Sequence, residues 1–221
     1  MSVDAGTELL LADWRRQVSD LYAEVRRLGA GDPAAALTVW REERERLYRD
    51  HPMSPVPADQ RRNFSARHFE LDPSLRFEVV VQAATPASPA PLASPAPLAS
   101  PLSLPNSGAD TLSFRRIGTV EIPFPDRPRS LSLFWMEGYA GGLFLPFRDA
   151  TSGAETYAAG RYLLDTAKSA DLGGDQQRGS LILDFNFAYQ PSCAFDPRWA
   201  CPLAPPENRL DLPIRAGERI A

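Results

Sequence analysis

Between residues 83 and 109 the chain repeats itself as ASPAPL, ASPAPL and ASPL in tandem, and that stretch limits everything around it. Proline fixes φ and carries no backbone donor, so a helix or sheet interior cannot be built from such a segment. Alanine and serine bury too little apolar surface to offset the entropy of ordering. The repeat is also too short to stack as a solenoid. It therefore predicts a disordered insertion, in a loop between neighbouring strands. Three segments follow: 1–82, a helical region plus a first strand; 83–109, the insertion; and 110–221, an antiparallel β domain forming one structural unit with 1–82. About 27 residues of polyproline II would reach on the order of 80 Å if fully extended. Docking to a proline-recognition domain is the alternative, but the repeat offers no charged anchor.

Ahead of the insertion the apolar residues fall at helical spacing. Trp14, Val18, Leu21, Tyr22, Val25 and Leu28 make one stripe along a helix from about Glu8 to Leu28, which Gly29 and Gly31 end. Asp32 and Pro33 supply a cap and a first-turn proline for a second helix to about Arg49, with Leu37, Trp40, Arg44 and Leu47 on one face. Glu42 with Arg46, and Glu45 with Arg49, predict a solvated face laced by ion pairs of about 0.2–0.5 kcal/mol each. Pro52, Pro55 and Pro57 force an extended passage, followed by a short helix over 58–64. His51 and His68 flank it, and an isolated histidine is more often structural or solvated than a metal ligand or proton carrier. Leu75 to Val81 reads as a strand.

Beyond the insertion, turns come quickly, as in an antiparallel sheet system. Residues 112–117 and 119–124 predict two strands around Gly118. Ser130 to Met136 predicts a strand with Leu131, Leu133 and Trp135 on a core face, and Leu143 to Phe147 another. ETYAAGRYLLD predicts a strand with a bulge at Gly160, Leu181 to Phe185 a buried central strand, and Leu210, Leu212 and Ile214 a last strand at an edge, because of Pro213. The resulting fold class is α+β, with N-terminal helices packed on an antiparallel β-sandwich or partly closed β-barrel.

A net charge of −4 argues against a nucleic-acid partner, which needs a concentrated basic surface. The start MSVDAGTELLLADWRR has neither a basic n-region nor a spanning apolar run, so a cytoplasmic location away from membranes is expected. In that compartment a lasting disulfide between Cys193 and Cys201 is uncommon. Their spacing differs from that of zinc ribbons and redox C-x-x-C pairs, which leaves buried thiols as the leading reading, a stabilising or regulatory disulfide behind it, and no metal site. No phosphate loop occurs, no cofactor is implied, and oligomeric state is not encoded in any pattern seen here.

The polar residues concentrate elsewhere. Asp149, Arg161, Tyr162, Asp184, Asn186, Tyr189, Glu207 and Asn208 are the groups expected to converge if the two motif strands and the Pro-rich C-terminal loop are neighbours. Three carboxylates and one arginine suit acid–base chemistry if burial separates their proton affinities, or a structural ion-pair network. Arg161 has the planar fork that grips a carboxylate or phosphate, or pairs with Asp149 or Asp184. Asp184 and Asn186 share a side if the strand persists, or organise a turn. The tyrosines line a pocket or serve as plain core aromatics.

The runs PFRDATSGAETYAAGRYLLD and DFNFAYQPSCAFDPRWACPLAPPEN, with the opening ADWRRQVSDLYAEVR, resemble a family of bacterial and archaeal proteins catalogued as domain of unknown function 1684. The chain departs from the family pattern at Gln190, where asparagine is expected, and at Ala158 and Ala159. The resemblance implies a shared fold and carries no mechanism. Three functions therefore compete: binding of a small, anionic molecule in a polar pocket; hydrolase-type catalysis with Asp184 or Glu207 as base and Arg161 holding an anionic substrate; and a structural or interaction module braced by the same residues.

Overall fold

The computed structural model describes residues 5–84, 102–103, 113–139 and 141–220. Two helices, α1 (Ala5–Gly29) and α2 (Pro33–Asp50), form a hairpin. The Asp32 carboxylate accepts the Ala35 N–H at 2.9 Å, capping α2 one residue ahead of Pro33, as the sequence predicts. Leu21, Tyr22, Val25, Leu37 and Trp40 face inward from the predicted stripes. On the outer face Arg49 pairs with Glu45, but Arg46 takes Glu43 at 2.8 Å instead of Glu42. A single 3-10 turn at Arg61–Asn63 stands in for the short helix.

The strands are β1 (Arg67–His68), β2 (Arg76–Ala83), β3 (Leu102–Ser103), β4 (Ser113–Ile122), β5 (Arg129–Met136), β6 (Gly142–Phe147), β7 (Arg161–Asp165), β8 (Ser180–Asp184) and β9 (Glu218–Arg219). Antiparallel pairing runs in the order β7-β6-β5-β4-β2-β8, with β3 on β4 and a separate β1-β9 ribbon. The sheet curls until its ends meet. Tyr162 of β7 and Tyr189, five residues past β8, exchange N–H···O bonds of 2.9 and 3.2 Å. The α+β class and the partly closed barrel are thus observed. Of the insertion, Ala83 closes β2 and Leu102–Ser103 pairs with β4; most of the remainder lies outside the described residues.

Both faces of the curl are buried. Val79, Val120, Ile122, Leu131, Leu133, Leu145, Phe147 and Leu183 fill the inside, while Phe114, Phe134, Phe144, Tyr162 and Phe187 pack under the helices. This corrects the one-sided reading of β5, whose Phe134 faces the helices opposite Leu131 and Leu133. It also explains Gly118, which does not separate two strands. β4 is continuous, with Arg116 opposite Phe134 and Gly118 opposite Leu133, so Ile117 is an extra, bulged residue. The bulge reverses the faces, sending Phe114 to the helices and Val120 and Ile122 to the interior. A Cβ at Gly118 would lie 2.4 Å from the Gln82 carbonyl oxygen.

Of two other strand predictions, one holds only over Arg161–Asp165 and one fails. The segment before β7 forms turns, and Gly160 is a left-handed residue (φ +103°) ahead of the strand, pressed against the Phe147 carbonyl; the bulge lies at Leu163, opposite Leu145 and Pro146. Residues 210–214 form no strand: Leu210 and Ile214 plug the half-barrel, and the last pairing is made by β9.

Candidate functional site

The structure places five of the eight predicted residues in three separate braces. Arg161 and Asp149 come together at 3.5 Å, both almost fully buried. The Arg161 guanidinium donates to the carbonyls of Ile214 (2.8 Å), Ala216 and Glu218 (3.1 Å), and Asp149 Oδ2 accepts the Ile214 N–H at 2.7 Å. The C-terminal plug is therefore held by side chains where a strand would use its ladder. Burial lowers the Arg161 pKa to about 10 against the opposing pull of Asp149.

Asp184 and Asn186 form the second brace. Asp184 accepts from the Asn186 N–H (2.9 Å) and side chain (2.8 Å) and from Arg76 (3.2 Å), capping a 3-10 turn; Asn186 then exchanges two bonds with the backbone of Asp72. Asn208 is the third. The β5–β6 register, continued, would set Ser132 opposite Pro146, which has no N–H to give. The Asn208 amide fills that break, accepting from Ser132 N (2.8 Å) and donating to Ser132 O (2.9 Å) and Pro146 O (2.7 Å). Glu207 beside it is exposed. Tyr162 donates to Pro202 O and packs on Phe144, while burial holds the Tyr162 and Tyr189 hydroxyls well above the usual range.

The chemistry that the sequence reading missed gathers at the β1-β9 ribbon. Arg44 extends from the apolar stripe of α2 and lies between the rings of Tyr48 (4.4 Å) and Tyr189 (4.6 Å). Its Nε donates to Glu218 Oε1 at 2.5 Å, and Glu218 Oε2 accepts the Gln190 N–H at 2.7 Å. Burial is the largest influence and would lower the Arg44 pKa, but the charge and hydrogen bond of Glu218, together with Tyr48 and Tyr22, outweigh it and the net shift is upward. A charged residue on an otherwise apolar helical face was the available signal; its distant acid partner had none.

Cross-strand partners in the ribbon share a face. His68 and Glu218 point toward α2, where the His68 ring meets Trp40 edge-on at 5.8 Å. Burial, with Arg41 and Arg44 nearby, pushes the His68 pKa down to about 4 against the pull of Glu218. Arg67 and Arg219 pair on the other face. They line a cleft of about 200 Å³ with Phe64, Gln190, Phe195, Ile220 and Glu218, whose carboxylate is tied to Arg44. Among the described residues neither Arg67 nor Arg219 has a carboxylate within ion-pair distance, and Arg219 Nε is buried without a hydrogen-bond partner. None of the eight predicted residues lines this cleft.

Cys193 and Cys201 are buried neighbours carried as thiols. His51 is also buried, its Nδ1 accepting the Met53 N–H at 3.0 Å. Among the described residues no group of three or more His, Cys, Asp or Glu could hold a metal ion, and no helix is long and apolar enough to cross a membrane.

A helical hairpin laid on a curled antiparallel half-barrel defines the class of protein. The chain belongs to the family described as protein of unknown function (DUF1684), whose model matches residues 64–219 and so leaves the helical hairpin outside the match. Among solved structures it is similar to the solution NMR structure of the uncharacterized protein from gene locus rrnAC0354 of Haloarcula marismortui. The two are 31% identical over 84% of this chain and 93% of the other, with a TM-score of 0.57. No curated protein matches.

Proposed function

We propose that this chain binds a small organic anion in the cleft between the β1-β9 ribbon and the turn carrying Phe195, and that Asp149, Arg161, Asp184, Asn186 and Asn208, singled out in the sequence, brace the fold around it. One observation carries the reading: two arginines stand directly opposite each other on a cross-strand pair, and among the described residues neither makes an ion pair, Glu155 acting on Arg219 only from beyond contact distance. Like charges so placed repel, and a carboxylate or phosphate between the two guanidiniums relieves that repulsion with bidentate bonds. Phe64, Phe195 and Ile220 supply apolar walls for the body of such a molecule. Hydrolysis at Asp184 or Glu207 has no comparable support, because the Asp184 oxygens are engaged by Asn186 and Arg76 and Glu207 faces solvent.

Titration calorimetry with benzoate, phenyl phosphate and the neutral benzyl alcohol tests the proposal. Both anions are expected to bind, more weakly as salt rises, and the alcohol to give no heat. Arg219→Ala or Arg67→Ala should weaken binding roughly 10- to 100-fold, the loss of one charge-assisted contact. Equal behaviour of anions and alcohol, or unchanged affinity in both variants, would overturn it.

A further inference from the structure

The wall of the cleft that carries Phe195 continues into a segment with two sulfurs side by side. Cys193 sits in the 3-10 turn Ser192–Ala194, and its N–H donates to Cys201 Sγ at 3.3 Å. The Tyr157 hydroxyl is 3.7 Å from Cys193 Sγ and 3.4 Å from its carbonyl oxygen, and the two thiols are themselves hydrogen-bonded. Tyr157 and the Cys201 thiol thus both present donors to one sulfur. That arrangement makes Cys193 Sγ the acceptor and leaves the proton on Cys201, whose pKa is raised by this contact and by burial against the Cys193 N–H that its sulfur accepts. Tyr157 moves the same way, pushed up to about 12 by burial and by Cys193. Ala194 and Phe195, the next two residues along the chain, line the anion cleft.

We infer that Cys193 and Cys201 are a thiol–disulfide exchange pair whose oxidation ties down the Phe195 wall of the anion cleft. The consequence for binding rests on the function proposed above; the exchange itself does not. The oxidising partner is a low-molecular-weight disulfide, RSSR. Cys193 thiolate attacks one sulfur of RSSR, its S–S bond breaks, and one RS⁻ leaves, taking up the proton lost by Cys193. Cys201, deprotonated by the departing thiolate or by solvent, then attacks Cys193 Sγ and releases the second RSH. The sum is two cysteine thiols plus RSSR giving one protein disulfide and two RSH, with two electrons passed to the small disulfide. Tyr157 holds the attacking sulfur by its hydrogen bond and so acts as a positioning residue.

The test uses the full chain with oxidised glutathione as RSSR under native conditions, followed by N-ethylmaleimide, intact mass and peptide mapping. The expected product has no maleimide adduct, no retained glutathione and a cross-linked Cys193–Cys201 peptide, reversed by dithiothreitol. Cys201→Ser should stop at a stable glutathione adduct on Cys193, and Tyr157→Phe should slow the reaction several-fold with the same end product. Amide exchange over residues 194–198 should be slower in the oxidised protein. Two unreacted thiols at equilibrium, glutathione retained on both cysteines, or unchanged amide exchange after oxidation would overturn the inference. If the disulfide forms and the wall tightens while benzoate binds neither form, the anion proposal fails and this one stands. If benzoate binds but no disulfide forms, the reverse holds.

Discussion

Removing the Glu218 charge should cost this protein a large share of its stability, and the cost should nearly disappear when Arg44 is removed with it. Glu218→Gln keeps the shape and one acceptor for the Gln190 N–H, but leaves a guanidinium enclosed by Tyr48 and Tyr189 without its counter-ion. Breaking a buried pair by deleting one partner costs about 3–5 kcal/mol, against total stabilities of about 5–15 kcal/mol for a single domain. Arg44→Met strands the carboxylate instead, for a similar loss eased by the remaining N–H bond. In the double variant no charge is stranded, and methionine fills the slot between the two rings, so the expected cost is only about 1–2 kcal/mol. The coupling read from urea unfolding of the four proteins should therefore exceed about 3 kcal/mol. A coupling within about 0.5 kcal/mol of zero would refute the reasoning, because it would mean that the pair contributes no more than an exposed ion pair does.

Acid should act partly through His68. Its pKa is about 4 in the folded protein against 6.5 ordinarily, so between those values the unfolded chain takes up a proton that the folded chain refuses. Stability then falls as pH drops from 6.5 toward 4 and levels off below, by about 3 kcal/mol at full weight and about 1–2 once the ring's partial exposure is allowed for. His68→Phe should flatten that slope, measured as unfolding free energy at stepped pH. Asp149→Asn leaves Arg161 charged among carbonyls and should cost about 3–5 kcal/mol without changing anion affinity in any protein that remains folded, read by urea melts and calorimetry together. Asn208→Ala strips partners from three backbone groups at the Pro146 break and should cost about 3 kcal/mol, with amide exchange at Ser132 rising ahead of its neighbours.

The helical hairpin was legible because stripe, cap and stop signals agree: Asp32 and Pro33 sit where local chemistry alone requires them, and the glycines at 29 and 31 mark the stop. Strands were legible wherever β-branched and aromatic runs are bounded by turns, as at Arg129–Met136 and Ser180–Asp184. The bulge at Ile117 was read as a break, because inserting one residue and ending a strand leave the same mark beside a glycine. Leu210, Leu212 and Ile214 alternate as a strand does, but Leu210 and Leu212 bond only to the turn at Arg148 and Ala150, and Ile214 to the Asp149 and Arg161 side chains, which no period reveals. For the same reason the polar set was found and its convergence was not. Asp184 and Asn186 organise the turn between them, the alternative their residue types already offered, whereas Asn208 serves backbone groups of Ser132 and Pro146 far off in the sequence. The Arg67–Arg219 pairing and the Arg44–Glu218 contact depend on where the chain returns after the whole sheet has formed.

That return has a kinetic side. Arg44 and Glu218 stand 174 positions apart, and Arg161 grips carbonyls at 214, 216 and 218, so the interior of the half-barrel is plugged by the segment that leaves the ribosome after every strand of the sheet. Until it arrives, Phe147, Phe185 and their neighbours have one side open to water, and the loop to be closed is nearly the length of the protein. Synthesis would thus hold the chain in an open, sticky intermediate that matures in a single late step, and fragments lacking residues 214–219 should be recovered as aggregates.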